Sequence, residues 1–227
     1  MTTIDSPVKP ANDTVIGCLW VRNRPGVTLG VNSYPKKAPP FSDVELWQYI
    51  TGSIVGYNGV MEYKTMTHPW GAVYDENSEV LILGTFPSPK SREMGFYYGH
   101  PQNIFWKTLA DILKQPEPPA TVAARKAFLL HNHIAVWDVL ASCEIEGASD
   151  MSIRNPVPNK FRPILAQTKI RKIFTTGKKA TQLFEKYCAQ EAGMPSVYLP
   201  STSPANRAQQ AKPEFHELWQ LGISGRY

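Results

Sequence analysis

The sequence predicts an α/β protein: a three-layer α/β/α sandwich with a central four-stranded parallel sheet, plus an N-terminal extension. Short apolar runs alternate with amphipathic segments along most of the chain, which is typical of βαβ units and a parallel sheet. Two of the apolar runs end in turns rich in Gly, Ser and Pro. A length of 227 residues allows one large domain, or one medium domain with an extension.

Residues 1–66 form the predicted extension, whose role is unknown. Pro, Gly and Asn interrupt this region at short intervals, and its apolar residues are too few for an independent domain. We expect it to pack on the main body or to stay partly loose; the alternative is a small accessory binding module. The main domain is predicted to span residues 67–227.

Four apolar runs are the predicted strands of the sheet, because each is short, rich in branched apolar residues and bounded by turn-forming residues. They span residues 80–83, 134–140, 170–175 and 196–199. The polar segments that leave their C-terminal ends should share one crevice, where open α/β sheets bind ligands. The segments concerned are the loops 84–102, 141–159 and 200–208.

Five segments carry apolar residues at spacings of three and four and are the predicted helices. They span residues 103–114, 121–130, 161–167, 179–189 and 209–221. Two Pro-rich or polar breaks, at 115–119 and 200–204, separate helices from their neighbours. The first and last helices carry large aromatic residues on their apolar faces, which are Phe105, Trp106, Phe215 and Trp219.

Charge, residue spacing and the lack of long apolar runs limit the classes of function that the sequence allows. The net charge of +5 and the pI near 9.0 permit a polyanionic partner. The three cysteines are widely spaced without a CxxC pair, which indicates a reducing compartment and argues against disulfides, zinc or iron–sulfur clusters. No histidine has metal-ligand spacing, so no metal site is expected; no organic cofactor is expected either. No signal peptide or membrane span is found, so a cytoplasmic protein, or a nuclear one in a eukaryote, is expected.

The first strand leads into the most informative stretch of the chain. It ends at Gly84 and continues through Thr85, Phe86, Pro87 and Ser88 into a basic and hydroxyl run. Glycine permits close backbone approach and proline stiffens the turn, although the same turn also occurs as plain structure. Three aromatic residues and the segment Gly99-His100-Pro101-Gln102-Asn103 follow, leading into a helix.

The last strand leads into a second turn of similar composition. It reads Leu199-Pro200-Ser201-Thr202-Ser203-Pro204-Ala205-Asn206-Arg207. Alone, this stretch is explained equally well by a helix N-cap. Two such turns at strand C-terminal ends of one small domain together favour a site that grips a phosphate backbone.

These segments together resemble the uracil-DNA glycosylase superfamily, and most closely its hypoxanthine-DNA glycosylase family (DNA-deoxyinosine glycosylases, family six). The resemblance covers roughly Thr67 to the C-terminus and leaves the first 66 residues unmatched. It is carried by the two turn segments and by stretches at residues 75–78, 135–140 and 153–159. It implies a uracil-DNA glycosylase-like fold.

The resemblance implies a catalytic role for Asn103, whose amide would orient water at the sugar C1′ of a flipped nucleotide. In the wider superfamily the water-holding residue often stands where this chain has Phe86. The alternative for Asn103 is a helix N-cap. Tyr98 would stack on the base with Phe86 as a second wall. Ser201 replaces a common histidine, which leaves His100 as a source of leaving-group help; ordering of the loop is its alternative.

The predicted substrate-binding residues are therefore Gly84, Thr85, Phe86, Tyr98, His100 and Ser201. Phosphate contacts on both sides of the extruded nucleotide are predicted for a second set, although each charged member could equally be a solvated surface residue. This DNA-binding set is Ser88, Lys90, Ser91, Arg92, Ser203, Pro204, Asn206 and Arg207. We also expect a third loop to line the site through Ser152, Asn155 and Asn159.

The resemblance implies a monofunctional DNA glycosylase for base excision repair that hydrolyses the N-glycosidic bond of deaminated bases, above all hypoxanthine in deoxyinosine. Its partner would be DNA with a damaged base, and the protein would act as a monomer. The alternatives are a uracil- or mismatch-specific glycosylase and a non-catalytic module that binds damaged DNA. A bifunctional lyase would require an amine nucleophile such as Lys90 or Lys107.

Overall fold

The structure is a computed structural model that describes residues 63–147 and 149–224. Its strands are β1 (Lys64–Thr67), β2 (Val80–Gly84), β3 (Ile134–Asp138), β4 (Leu140–Ile145), β5 (Arg154–Pro158), β6 (Lys172–Thr176) and β7 (Ser196–Leu199). Its helices are α1 (Pro89–Met94), α2 (Phe105–Leu113), α3 (Val122–His131), α4 (Arg162–Leu165), α5 (Lys178–Tyr187), α6 (Ala189–Ala192), α7 (Arg207–Gln210) and α8 (Pro213–Ser224). Two 3₁₀ turns lie at Asp150–Ser152 and Pro204–Asn206.

A four-stranded sheet in the order β3–β2–β6–β7 forms the centre of the domain, and all three pairings are parallel. The predicted fold class is thereby confirmed. The chain places β3 on one side of β2 and then returns to place β6 on the other. The direction in which strands are added to the sheet therefore reverses between β3 and β6. Open α/β sheets bind ligands in the crevice at the C-terminal ends of the strands beside such a reversal.

Alternation along the strands divides the core into two layers. On β2, Val80 and Ile82 face one layer, while Leu81 and Leu83 face the other, and all four are essentially inaccessible to solvent. The first layer contains residues of α2, α3 and α8, and the second contains residues of α4, α5 and α6. Each fully buried apolar side chain contributes about 1.5–3 kcal/mol. Both layers therefore hold the sheet in place.

Local sequence signals set where the helices begin. Thr121 precedes α3, and its hydroxyl accepts a hydrogen bond from Ala124 N at 3.2 Å. Ser88 precedes α1 in the same way and accepts from Ser91 N, with Pro89 at the first helical position. Hydroxyl caps of this type satisfy backbone donors that a helix leaves unpaired.

The prediction of a polar loop over residues 141–159 is wrong for much of that range. A second, antiparallel sheet in the order β1–β4–β5 occupies it. The predicted strand 134–140 is divided, because β3 ends at Asp138 and β4 begins at Leu140. Backbone bonds from Val139 N to Gly84 O and from Leu140 N to Thr85 O hold the turn between them.

Smaller corrections concern helices. The predicted loop 84–102 contains the short helix α1. The predicted helix 179–189 ends at Tyr187, and α6 follows it; the predicted helix 209–221 is divided into α7 and α8, with Pro213 at the start of α8.

The N-terminal extension predicted for residues 1–66 lies outside the described residues up to position 62. The predicted boundary between 66 and 67 falls within β1, which pairs with β4 along its whole length. The division of the chain into these two parts stays a prediction.

Candidate active site at the strand ends

A cavity of about 560 Å³ lies at the C-terminal ends of the central strands. Gly84 of β2, Asp138 of β3 and Thr176 of β6 line it, and so does Ser201 after β7. Cavities of roughly 300–1,000 Å³ are typical of small-molecule sites. The parallel sheet thus brings together four loops that are distant in the sequence.

The cavity contains every residue predicted to be catalytic or to bind the substrate base. These are Gly84, Thr85, Phe86, Tyr98, His100, Asn103 and Ser201. Their placement in one cavity follows from the parallel order of β2, β6 and β7. Their individual roles stay predictions.

Asn103 lies just before α2 with its side chain partly fixed. Its Oδ1 accepts a hydrogen bond from Phe105 N at 3.0 Å, while its own backbone N donates to His100 O at 2.8 Å. The amide Nδ2 makes no hydrogen bond to a described residue. Since an amide nitrogen carries two donor hydrogens and Oδ1 has a second lone pair, the group can still orient a small molecule in the cavity.

Tyr98 presents an aromatic surface in the cavity that Asn103 also lines. One face of its ring stacks on Phe105, with centroids 3.7 Å apart and planes 7° apart. Its hydroxyl is 3.1 Å from Thr176 Oγ1. Burial and then the charge on Asp138 raise the pKa of Tyr98, so the phenol stays protonated and the ring stays fixed. A ring held on one face can stack a planar base on the other.

Phe86, His100 and Ser201 complete the predicted walls. Phe86 is buried and makes an edge contact with His68. His100 Nδ1 accepts a hydrogen bond from Gln102 N at 3.0 Å, which supports the loop-ordering alternative without occupying Nε2. Ser201 Oγ accepts from Ser203 N at 3.2 Å. Each of these contacts stabilises a loop of the cavity.

The first predicted phosphate-binding set is largely engaged within the protein. Ser88 caps α1 and bonds Ser91 Oγ at 3.1 Å, and buried Ser91 in turn accepts from Gly99 N at 3.1 Å. Lys90 forms an exposed ion pair with Glu93. Arg92 Nη1 donates to Pro87 O at 2.6 Å. The structure therefore gives the two serines a role in shaping the loop, and phosphate binding by this set stays a prediction.

Replacing Ser91 with alanine should lower the free energy of unfolding by about 1–3 kcal/mol, because Gly99 N then loses its buried acceptor. Urea unfolding measures this change. Affinity for undamaged duplex DNA should be unaffected at a temperature where the variant is folded. A loss of affinity without a loss of stability would instead support a direct phosphate contact by Ser91.

The second predicted set lies on the turn after β7. Asn206 Nδ2 donates to Ser201 O at 3.0 Å and to Gln209 Oε1 at 2.9 Å, so this amide fastens the turn internally. Ser203 caps the 3₁₀ turn that begins at Pro204. Arg207 is exposed, and no described residue forms an ion pair with it. Arg207 is therefore the member of this set best placed to meet a phosphate.

The third loop contributes different residues from those predicted. Ser149, Asp150 and Met151 line the cavity, whereas Ser152, Asn155 and Asn159 do not. Ser152 fastens its own turn through Ser149 O, and Asn159 Nδ2 donates to the backbone O of Asp138. Burial raises the pKa of the Asp150 carboxyl, and a hydrogen bond with the Thr85 side chain partly offsets the rise.

Three further polar residues of the cavity, Asp138, Thr176 and Thr202, are not among the residues predicted from the sequence. Asp138 ends β3, with a buried side chain hydrogen-bonded to His68. Thr202 is buried, and its hydroxyl has no hydrogen-bond partner among the described residues. An acidic residue inside an apolar run such as 135–140 must be buried and paired, and that signal could have identified Asp138.

No cluster of potential metal ligands occurs among residues 63–147 and 149–224. In the same part of the chain, no helix has both the length and the apolar composition needed to span a membrane.

Comparison with known proteins gives one family. The family model described as the uracil DNA glycosylase superfamily matches residues 72–221. This range includes β2 to β7 and every loop that lines the cavity.

Similar proteins are found in two archaea. A protein of Methanosarcina acetivorans named hypoxanthine DNA glycosylase is 34% identical over 137 residues, which are 60% of this chain and 85% of the relative. A protein of Methanosarcina barkeri with the same name is 32% identical over 136 residues, with the same shares. A solution NMR structure of a candidate uracil DNA glycosylase from M. acetivorans matches with a TM-score of 0.59 and 31% identity, covering 69% of this chain and 96% of that one.

Proposed function

This chain belongs to the uracil DNA glycosylase superfamily, and we propose that it removes hypoxanthine from DNA by hydrolysis of the N-glycosidic bond. The predicted membership of the superfamily is confirmed, and with it the activity of a DNA glycosylase. Two relatives named hypoxanthine DNA glycosylase support the choice of base.

The position of Asn103 is the observation that carries the proposal. Its Oδ1 is fixed by Phe105 N, and it shares one cavity with the aromatic ring of Tyr98. A glycosylase must bind an extruded base on an aromatic surface and hold water near C1′. Phe86 has no polar atom with which to hold that water, so we assign this task to Asn103.

The reaction breaks the bond between C1′ and N9 of the base, and its electron pair leaves with the base. Water oriented by Asn103 bonds to C1′, and the proton that it loses balances the proton gained by the leaving base. Because the sugar develops oxocarbenium character, a weakly polarised water suffices, and an amide can position it without acting as a strong base. Hydrogen bonds to the departing base lower the barrier by stabilising its charge. His100 and the Thr202 hydroxyl, to which no described residue forms a hydrogen bond, are the candidates for this contact.

The cavity also favours hydrolysis over lyase chemistry. A bifunctional enzyme requires an amine that attacks C1′. No lysine is among the described residues that line the cavity, and both Lys90 and Lys107 are exposed in ion pairs with neighbouring acids. We therefore propose that the product is an abasic site in an intact strand.

Incubation with labelled duplexes that carry one hypoxanthine, one uracil or one mismatched thymine, followed by alkali, tests the proposal. We expect cleavage of the hypoxanthine duplex in preference to the others. Cleavage of the uracil duplex alone would move the chain to uracil repair. Binding without cleavage of any duplex would identify a damage-binding module instead.

Phosphate binding by Arg207 gives a separate prediction. Arg207→Gln should weaken binding to duplexes with and without a damaged base by the same factor, and should lower the slope of log affinity against log salt by about 1. Fluorescence anisotropy at several salt concentrations measures both. The matched control is Arg171→Gln, an exposed residue directly before β6, at the end of the strand opposite to the cavity. An equal effect of both substitutions would show that only net charge matters.

The expected cell compartment and oligomeric state are also proposals. Cys143 and Cys188 are buried free thiols, and burial raises the pKa of Cys143 to about 11 and that of Cys188 to about 12. Thiols in this state are compatible with a reducing compartment, so we propose the cytoplasm, or the nucleus if the source is eukaryotic. We also propose that the protein acts as a monomer, because the described part of one chain supplies a complete cavity.

A further inference from the structure

One large apolar side chain at the cavity lies almost wholly in solvent. Met151, in the 3₁₀ turn Asp150–Ser152, is 84% exposed, the highest value for a large hydrophobic residue in the described part of the chain. Among the exposed large hydrophobic residues of that part, only Met151 lines the cavity. Single exposed apolar residues are ordinary on a protein surface. Its position at the rim of a binding cavity is the feature that requires an explanation.

The residues on either side of Met151 are fastened to the protein. Asp150 forms a hydrogen bond with the side chain of Thr85, in the turn after β2. Ser152 Oγ accepts a hydrogen bond from Glu146 N at 3.0 Å. Because both neighbours are held, the Met151 side chain extends from a fixed turn and loses little backbone freedom when it meets a partner.

The turn after β7, which also lines the cavity, has no comparable side chain. Ala205 is exposed but carries only a methyl group, and Pro204 is half-buried at the start of its 3₁₀ turn. The amide of Asn206 is held by two hydrogen bonds within the same part of the chain. This turn therefore offers no long apolar group to a bound molecule.

The aromatic residues of the cavity are not available outside it. Phe86 and Tyr97 are buried, and one face of Tyr98 is covered by Phe105 at a centroid distance of 3.7 Å. These rings can meet a base only after it has entered the cavity. Met151 is therefore the side chain of the cavity best placed to contact the DNA from which that base has come.

Excision from a duplex requires extrusion of the target nucleotide, which leaves a gap in the stack of bases. Proteins that distort DNA insert apolar wedges between base steps, and methionine is one of the residue types that they use. Its thioether chain is flexible and polarizable, and it makes favourable contacts with aromatic rings. Both properties suit a side chain that must fill a gap between bases of any sequence.

We propose that Met151 inserts into the gap left by the extruded nucleotide and packs against the bases beside it. The inference rests on the proposed function of the cavity. It assigns a second contact site, whose ligand is the base stack of duplex DNA and not the damaged base. The contact forms only where a nucleotide has left the stack, so it stabilises the extruded state and has no preference for the base that is excised.

The test compares Met151→Ala with wild type in single-turnover excision of hypoxanthine from a duplex and from the corresponding single strand. The variant should be roughly 10-fold slower on the duplex, a size similar to the loss of one contact that stacks on a base. Its rate on the single strand should be little changed, because no base pair opposes extrusion there. Thermal unfolding should match wild type, since the side chain is exposed.

Two variants control for bulk and for exposure. Met151→Leu keeps an apolar side chain of similar volume and should retain most of the duplex rate. Leu221→Ala removes an apolar side chain of α8 that is 72% exposed and does not line the cavity, so it should excise at the wild-type rate. An equal loss in Leu221→Ala would show that exposed apolar surface in general is responsible, and the proposal would be wrong.

A wild-type duplex rate for Met151→Ala would overturn the proposal. Equal slowing on duplex and single strand would also overturn it, because Met151 would then act on the chemistry or on the base within the cavity. If wild type does not act on single strands, a duplex with an abasic analogue opposite the hypoxanthine replaces them, since extrusion from it breaks no base pair. Failure of wild type to excise hypoxanthine from any of these substrates would instead contradict the proposed function.

Discussion

Replacing Asn103 with alanine is expected to lower the single-turnover rate of hypoxanthine excision at least about 100-fold, the low end for a positioned catalytic group. The substitution removes the amide that we assign to water, while the aromatic surface of Tyr98 and the strand-end turns remain. DNA affinity should therefore be largely retained. Rate and affinity are measured on the same labelled duplex.

Two further variants separate chemistry from folding. Asn103 Oδ1 also accepts a hydrogen bond from Phe105 N, so alanine costs stability of about 1 kcal/mol. Asn103→Ser keeps an oxygen that can accept from this N–H and lacks the amide, and it should be as slow as the alanine variant. Gln102→Ala alters an exposed neighbour that contributes only its backbone N–H, and it should be fully active. Normal turnover by Asn103→Ala would assign the water to another residue.

Gly84→Ala is expected to reduce excision about 100-fold, because misplacement of reacting groups by roughly 1 Å has an effect of this size. The new methyl group would overlap Asp138 Oδ1, while it would lie 3.5 Å from the Tyr98 hydroxyl, which is an ordinary contact distance. We also expect the overpacking to cost about 1–3 kcal/mol of stability. Single-turnover kinetics on a hypoxanthine duplex and thermal unfolding measure the two effects.

Gly71→Ala is the matched control, since a Cβ atom at Gly71 would have no neighbour within 4 Å. It makes the same chemical change outside the cavity and should leave activity and stability near wild type. If Gly84→Ala were as active as this control, the close approach of Asp138 to the β2 turn would have no part in substrate binding.

The sequence was sufficient to predict the central sheet and most of the cavity. Its four strands are local apolar runs, and the rule that strand ends share a crevice brought Gly84, Asn103 and Ser201 together. The parts of the fold that it could not predict depend on pairing between strands that are far apart in the sequence. The strand β1 pairs with β4, more than 70 positions later in the chain, and neither strand is apolar enough to be recognised alone.

The dependence on distant contacts also explains why Asp138 was not predicted as a cavity residue. Asp138 was assigned to the interior of a strand over 134–140, and only the end of β3 at Asp138 places it at the cavity. Its partner, His68, is 70 residues away in the sequence, and no local pattern connects the two. The hydroxyl residues near Lys90 were assigned to phosphate for a related reason, since their partners within α1 and its cap become apparent only in three dimensions.

Direct identification of the released base tests the central claim most closely. A duplex with a single deoxyinosine is incubated with excess protein, and the products are separated by chromatography before any alkali is added. We predict free hypoxanthine in an amount equal to the abasic sites, a strand that remains intact until alkali is added, and release at least about 100-fold slower with Asn103→Ala. Absence of free hypoxanthine with wild-type protein, or equal release by the Asn103 variant, would contradict the account.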